Sequence, residues 1–142
     1  MSVFSNLIDQ DATIISLQNA VAASKDESTK SQAMTHAWLF TGPPGSGRSN
    51  AALAFAAALV CEMGGCGSCN NCKSALAGVH GDVEIVKTEG LSIKIDEIRE
   101  LITRAAWAPS VGLYRVVVIE DADRLTESAA NALPVRPQRK PL

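Results

Sequence analysis

One octapeptide constrains this chain more than any other feature. Gly42-Pro43-Pro44-Gly45-Ser46-Gly47-Arg48-Ser49 matches the pattern G-x-x-x-x-G-[basic]-[ST]. It follows the short apolar run Trp38-Leu39-Phe40-Thr41 and precedes the alanine-rich stretch Ser49 to Val60. The first run reads as a buried strand and the second as a helix that is apolar nearly all round and packed on more than one side. In a strand–loop–helix of this kind, glycines let backbone N–H groups turn inward around phosphate oxygens. The helix then aims its positive end at the same point. Ser49 would offer a hydroxyl to Mg²⁺. A plain Gly-Pro turn is the competing reading. Arg48 departs from the pattern, which normally carries Lys, and a planar guanidinium does not replace a compact ammonium conservatively. The loop therefore points to nucleotide-binding ancestry more firmly than to hydrolysis.

A phosphate loop needs a second acidic strand end to hold its metal. Val116-Val117-Val118-Ile119 is a β-branched run without alternation, read as a strand buried on both faces. Glu120 and Asp121 follow it. The usual order is Asp then Glu, and the inversion shifts each carboxylate by about one methylene, which matters for octahedral Mg²⁺. A solvated acidic turn is the alternative.

The third feature is Cys61-x₄-Cys66-x₂-Cys69-x₂-Cys72, four thiols within twelve residues. Zn²⁺ takes four soft ligands in a tetrahedron, and a loop containing Gly64, Gly65 and Gly67 can wrap one ion. Such a site would be closed and structural. Disulfides, a redox C-x-x-C and an iron–sulfur cluster are the other readings. Asn6, Asp9 and Asp11 interrupt the place where a signal peptide has its apolar core. The longest uncharged apolar run, Ala51 to Cys61, falls short of the ~20 residues of a membrane span. A reducing cytoplasmic setting is therefore expected, and there zinc is favoured over disulfides. His36 and His80 read as surface or packing residues.

Around these features the periodicity alternates. Leu7, Ile14, Leu17 and Val21 mark a helix over about 12–24, and Ala22 to Met34 reads as a loop or frayed helix end. Cys61 to Lys73 is expected to hold no regular element, and Val83 to Val86 reads as a strand. Ile98, Leu101, Ile102, Ala105 and Ala106 give a helix over Asp96 to Trp107, with Glu100 and Arg104 paired. Thr126 can cap a last helix, with Glu127 in its first turn. Strands alternating with helices imply an α/β domain with a parallel sheet.

Charge and proline content change abruptly near the end. The whole chain of 142 residues has a net charge of −2, while residues 1–133 alone carry ten bases and fifteen acids. Nothing here is polybasic, so any contact with DNA would be local or made through partners. Pro134 to Leu142 holds three of the six prolines and three bases without an acid. No packed helix or strand is expected there. It reads as a disordered tail, or as a coding sequence that lost its frame or was cut mid-domain.

Together the phosphate loop, the four cysteines directly after its helix, Leu91-Ser92-Ile93 with Asp96-Glu97-Ile98-Arg99, Glu120 to Leu125, and Ala130-Asn131-Ala132-Leu133 resemble the clamp-loader subunits of bacterial DNA polymerase III. The resemblance covers residues ~3 to 133 and rests on the combination of motifs. Arg48 and Glu120-Asp121 make the chain most similar to the delta-prime branch and less similar to the hydrolysing tau/gamma branch. Ile8-Asp9-Gln10 resembles the family's Val-Gly-Gln near the adenine pocket, with Asp9 in place of Gly.

The resemblance implies an AAA+ phosphate-loop fold over 1–133 with a zinc module inserted at about 61–73. It implies a place in a ring that loads the sliding clamp onto primed DNA beside tau/gamma and delta. The expected site residues are Gly42 to Ser49, Glu120 and Asp121 for weakly held ATP/Mg, and Cys61, Cys66, Cys69 and Cys72 for zinc. No catalysis by the chain alone is expected. The other readings are a truncated tau/gamma-like ATPase, a small phosphate-loop kinase, or a stand-alone zinc module. In the implied fold a later strand lies between Trp38–Thr41 and Val116–Ile119. Because the family pattern breaks after Leu133, both strands are expected to face an open edge, and the chain is expected not to be a stable monomer.

Overall fold

The computed structural model describes residues 2–7, 10–25, 37–43, 45–87, 90–105, 114–133 and 138–141. A 3₁₀ turn, Val3–Asn6, is capped reciprocally by Ser2 and Ser5. Helix α1, Asp11–Lys25, follows, with Asp11 in its first turn and Lys25 in its last, each the favourable sign for the helix dipole. It buries Leu17, Ala20 and Val21. Strand β1, Trp38–Thr41, leads through the glycine loop into α2, Arg48–Val60. Every residue of α2 from Ala54 to Val60 is buried, so this helix is enclosed as its sequence predicts. Phe55 stands edge-on to Trp38 and Phe40, with ring centroids 5.1 and 6.5 Å away.

Helix α3, Asn70–Leu76, begins inside the cysteine segment, which corrects the expectation of no regular structure from Cys61 to Lys73. The cause is local: the Cys69 sulfur caps the helix by accepting the Cys72 N–H at 3.4 Å. Strand β2, Val83–Val86, helix α4, Ile95–Ala105, strand β3, Val116–Ile119, and helix α5, Glu127–Ala132, complete the expected alternation. Positions 106 and 107 of the helix expected over Asp96 to Trp107 lie outside the described residues, as do 26–34 of the polar stretch. Thr126 caps α5 by accepting the Ala129 N–H at 3.1 Å.

Strands β2 and β3 pair in parallel, Val83 opposite Val116 through Val86 opposite Ile119. Both faces of the pair are packed. Val83, Ile85, Val116 and Val118 meet the core around α2, while Val86, Val117 and Ile119 meet a second core of Ile93, Ile98, Leu101 and Ala129. Only Val118 of β3 is fully buried, so the expected two-sided contact is present with less complete enclosure. Arg104 fastens α4 to β2 through two hydrogen bonds to Glu84 at 2.9 and 3.2 Å, and also reaches Glu100 at 3.9 Å.

The proline-rich tail holds a correction. Gln138–Pro141 is a strand, β4, that pairs in parallel with β1, Trp38 opposite Gln138 through Thr41 opposite Pro141. Strand β1 therefore does not face an open edge on that side. Proline-containing chain is already biased to extended backbone, and Pro141 sits at the strand's end, where its missing donor matters least. Among the described residues no ladder joins β1–β4 to β2–β3. The architecture is thus mixed α/β with two parallel strand pairs. No helix among the described residues is long and apolar enough to cross a membrane.

Candidate functional site

The glycine loop joins the end of β1 to the start of α2. Gly45 and Gly47 have φ of +85° and +88°, a backbone region that L side chains rarely adopt. Nothing lies within 4 Å of where a Cβ would stand on either residue. The Ser46 N–H donates to the Pro43 carbonyl at 3.1 Å and closes the turn. Gly47 caps α2 without a side chain, and no acid stands in the helix's first turn. The helix's first N–H groups and its positive end are thus left to an external acceptor. The Ser46 hydroxyl is buried with no hydrogen-bond partner among the described residues. An open cradle, an uncapped helix and an orphaned hydroxyl fit an anion such as phosphate. Arg48 is half-buried and Ser49 exposed at that end, Gly42 and Pro43 complete the approach from β1, and Pro44 lies outside the described residues.

The carboxylates after β3 are placed differently. Glu120 forms an ion pair with Lys87 at 3.3 Å, and its side chain is only 15% exposed. It lines a hollow of about 420 Å³ with Leu53, Leu76, Ile85 and Lys87, which no residue of the glycine loop lines. Asp121 is exposed, with φ of +53°, at the start of a 3₁₀ turn over Ala122–Arg124. Among the described residues neither carboxylate makes a hydrogen bond or ion pair with the loop. Lys87 was not foreseen, because a lysine after a short strand carries no signal of its own.

The four cysteines converge. They are free thiols, and their sulfur atoms all lie within 4.8 Å of one another. Cys61 Sγ is 3.8 Å from Cys66 Sγ and 3.7 Å from Cys69 Sγ. A tetrahedron with Zn–S bonds of about 2.3 Å has sulfur–sulfur edges of ~3.8 Å, so the donor set fits zinc. The Cys69 N–H donates to Cys66 Sγ at 3.3 Å. Cys61 and Cys72 are buried, while Cys66 and Cys69 are partly exposed. Hydrogen bonds from Ser68, backbone first and hydroxyl second, with further ones from Cys69, bring the Cys66 thiol down to about 6. Burial pushes the Cys61 thiol up, but backbone hydrogen bonds from Cys66, Gly65 and Met63 outweigh it and leave the thiol below its ordinary value. Burial raises Cys72. Two thiols biased toward thiolate beside a buried one suit a metal ligand set, since the bound form needs thiolates.

His80 packs behind this module. Its Nδ1 accepts the Asp82 N–H at 2.9 Å, which leaves Nε2 as the donor to Asn71 Oδ1 at 3.0 Å. This agrees with a packing role; His36 lies outside the described residues, as do Ile8 and Asp9. The two other segments of the resemblance meet directly. The Ile93 N–H donates to the Arg124 carbonyl at 2.7 Å, and the Thr126 N–H donates to the Ile93 carbonyl at 3.0 Å.

A family model described as DNA polymerase III, delta subunit matches residues 17–134. The DNA polymerase III subunit delta' of Bacillus subtilis is 38% identical over 103 residues, 70% of this chain and 31% of that relative. The delta' subunit of Pseudomonas aeruginosa is 35% identical over 104 residues, 69% of this chain and 32% of that relative. The tau subunit of Bacillus subtilis is 33% identical over 135 residues, 92% of this chain and 22% of that relative. The chain thus spans about a third of the delta' relatives and a smaller share of tau. With a matching model over most of its length, the chain belongs to the DNA polymerase III delta subunit family.

Proposed function

We propose that the chain serves as a delta-prime-type subunit of an AAA+ clamp loader in DNA replication, a ring member that does not hydrolyse ATP. The observation that carries this reading is the pairing of Glu120 with Lys87 together with Arg48 in the phosphate loop. Hydrolysis needs a carboxylate free for Mg²⁺ and a compact cation at the β/γ-phosphates. Here the carboxylate is engaged in an ion pair with a lysine, and the cation is a fork-shaped guanidinium. What remains is a cradle. The N–H groups of Gly45 and of Gly47 to Ser49, with the Ser46 hydroxyl, would hold phosphate oxygens, and Arg48 would offset their charge.

Cys61, Cys66, Cys69 and Cys72 would hold zinc, which supplies structural closure with no open position for chemistry. Partners under this reading are tau/gamma and delta, with the sliding clamp and primed DNA reached through the assembled ring in the cytoplasm.

The test mixes the purified chain with separately purified tau/gamma and delta subunits and measures co-elution and MgATP turnover. Co-elution with no turnover from the chain alone is expected. Turnover by the chain alone that is lost in Ser49→Ala would replace this reading with a tau/gamma-like ATPase. That second reading is favoured by one observation, the tau alignment that extends over 92% of the chain.

A further inference from the structure

The cysteine loop is more than a ligand set, because three elements close on it from different sides. The Lys25 ammonium, at the end of α1, donates to the Cys61 carbonyl at 2.6 Å. Its Cε passes 3.9 Å from the Cβ position of Gly64, and Val21 stands 3.6 Å from the same point. From the chain's start, the Val3 N–H donates to the Gly65 carbonyl at 3.0 Å. Gly65, with φ of +109°, lies so close that a Cβ would meet Val3 Cγ2 at 2.8 Å and Ala58 Cβ at 3.1 Å. Cys61 itself is the residue that ends α2, buried at the helix's last carbonyls. Val3, Val21, Ala58 and Cys61 all belong to the same core.

Four thiolates around one Zn²⁺ leave a net charge of −2 in a partly buried loop, and such a charge needs compensation by outer partners. Lys25 is a half-buried cation hydrogen-bonded to the backbone of a ligand residue, thirty-six positions away in sequence. Its aliphatic stem lies along the loop while its charge reaches the ligand's carbonyl, the way long cations divide themselves between apolar and polar surroundings.

We propose that Lys25 is an outer-sphere positioning residue of the four-cysteine centre, coupling metal retention to docking of the N-terminal segments 2–7 and 10–25. This rests on the zinc reading above. The coupling is reciprocal by thermodynamic necessity: what the docked segment adds to metal affinity, the bound metal adds to docking. The loop geometry supplies the shared element. Gly64 and Gly65 must keep their turn for Val3, Val21 and Lys25 to reach them, and a metal held by Cys61 and Cys66 on either side fixes that turn.

The experiment uses the full 142-residue chain. Zinc content is measured first, then zinc transfer to a chromophoric chelator, then amide exchange with and without zinc. Lys25→Met keeps the stem and removes the charge. It is expected to release zinc about fivefold faster or more, the lower end of typical coupling. Lys25→Arg is expected to restore slow release. Zinc removal from the parental chain is expected to raise exchange across 2–7 and 11–25 well above the rise in β2, β3 and α4. Release from Lys25→Met at the parental rate overturns the proposal, as does unchanged exchange over 2–7 and 11–25 on zinc removal. Should Lys25→Met fail to fold, the Arg variant and the parental exchange comparison decide. Slowed exchange over 2–7 and 11–25 with zinc bound supports the coupling, and equal exchange sinks it. A parental chain that holds no zinc sinks both this proposal and the zinc reading, whereas zinc bound without coupling sinks this one alone.

Discussion

At the scale of single residues, the decisive positions are those whose chemistry leaves no substitute. Cys69 supplies both a sulfur to the cluster and the cap of α3. Cys69→Ser is expected to lower zinc content well below one per chain by elemental analysis, since a hydroxyl is a poor replacement for a thiolate ligand. Gly65 is constrained by backbone and by contact at once, with a positive φ and no room for a Cβ beside Val3. Gly65→Ala is therefore expected to destabilise the fold by about 1–3 kcal/mol, the usual range for a strained backbone position. A urea titration would measure it, and an unchanged midpoint would contradict the docking geometry. The sequence made the convergence of the four cysteines and the glycine turn between β1 and α2 legible, because their spacing follows local patterns. It did not reveal Lys25 or Lys87. Both are ordinary surface-type residues in the text, and each acquires its role only from a partner 36 or 33 positions away.

At the scale of elements, α2 organises the molecule. It starts at the glycine loop and ends at the first cysteine, and its small side chains let neighbours approach closely. Ala57 is fully buried and belongs to the core shared by α1, β1 and α3. Ala57→Leu is expected to lose about 1–3 kcal/mol through overpacking, read as a lowered unfolding midpoint, while an exposed change such as Asn50→Ala should have little effect. The enclosed character of α2 was readable from its run of apolar residues without a polar face. The start of α3 was not, because glycines and cysteines signal irregular chain, and only the geometry of the Cys69 sulfur over the Cys72 N–H creates a helix start there.

At the scale of the whole molecule, the chain places two parallel strand pairs beside α2, and the last nine residues decide the state of one of them. Strand β4 covers an edge of β1 along all four of its residues. Truncation after Leu133 is expected to remove that ladder, worth roughly 2–4 kcal/mol at about 1 kcal/mol for each net hydrogen bond. It would also expose an apolar strand edge that templates aggregation. Thermal melting with light scattering would check this. A truncated chain that melts at the parental temperature without scattering would mean that β1 gains nothing from the tail. The expectation that the chain is not a stable monomer rested on two open edges, and on the β1 side the structure supplies a partner. A cooperative melt of the full chain is the outcome that would retire it.

Taken alone, the sequence determined most of the segments that become strands and helices, the glycine loop between β1 and α2, the metal-ligand spacing of the four cysteines, and the family to which the chain belongs. Those properties are local: apolar period, glycine placement, cysteine spacing and capping residues act within a few positions of one another. Only the tertiary structure decided that Glu120 is held by Lys87, that the N-terminal turn and α1 lock onto the cysteine loop, and that a proline-rich tail pairs with β1. Each of these is a contact between segments far apart in the chain. Backbone donors and acceptors at a strand edge accept any extended segment that can reach them, and a charge pairs with whichever opposite charge packing brings near. Neither choice leaves a mark on the local pattern of residues.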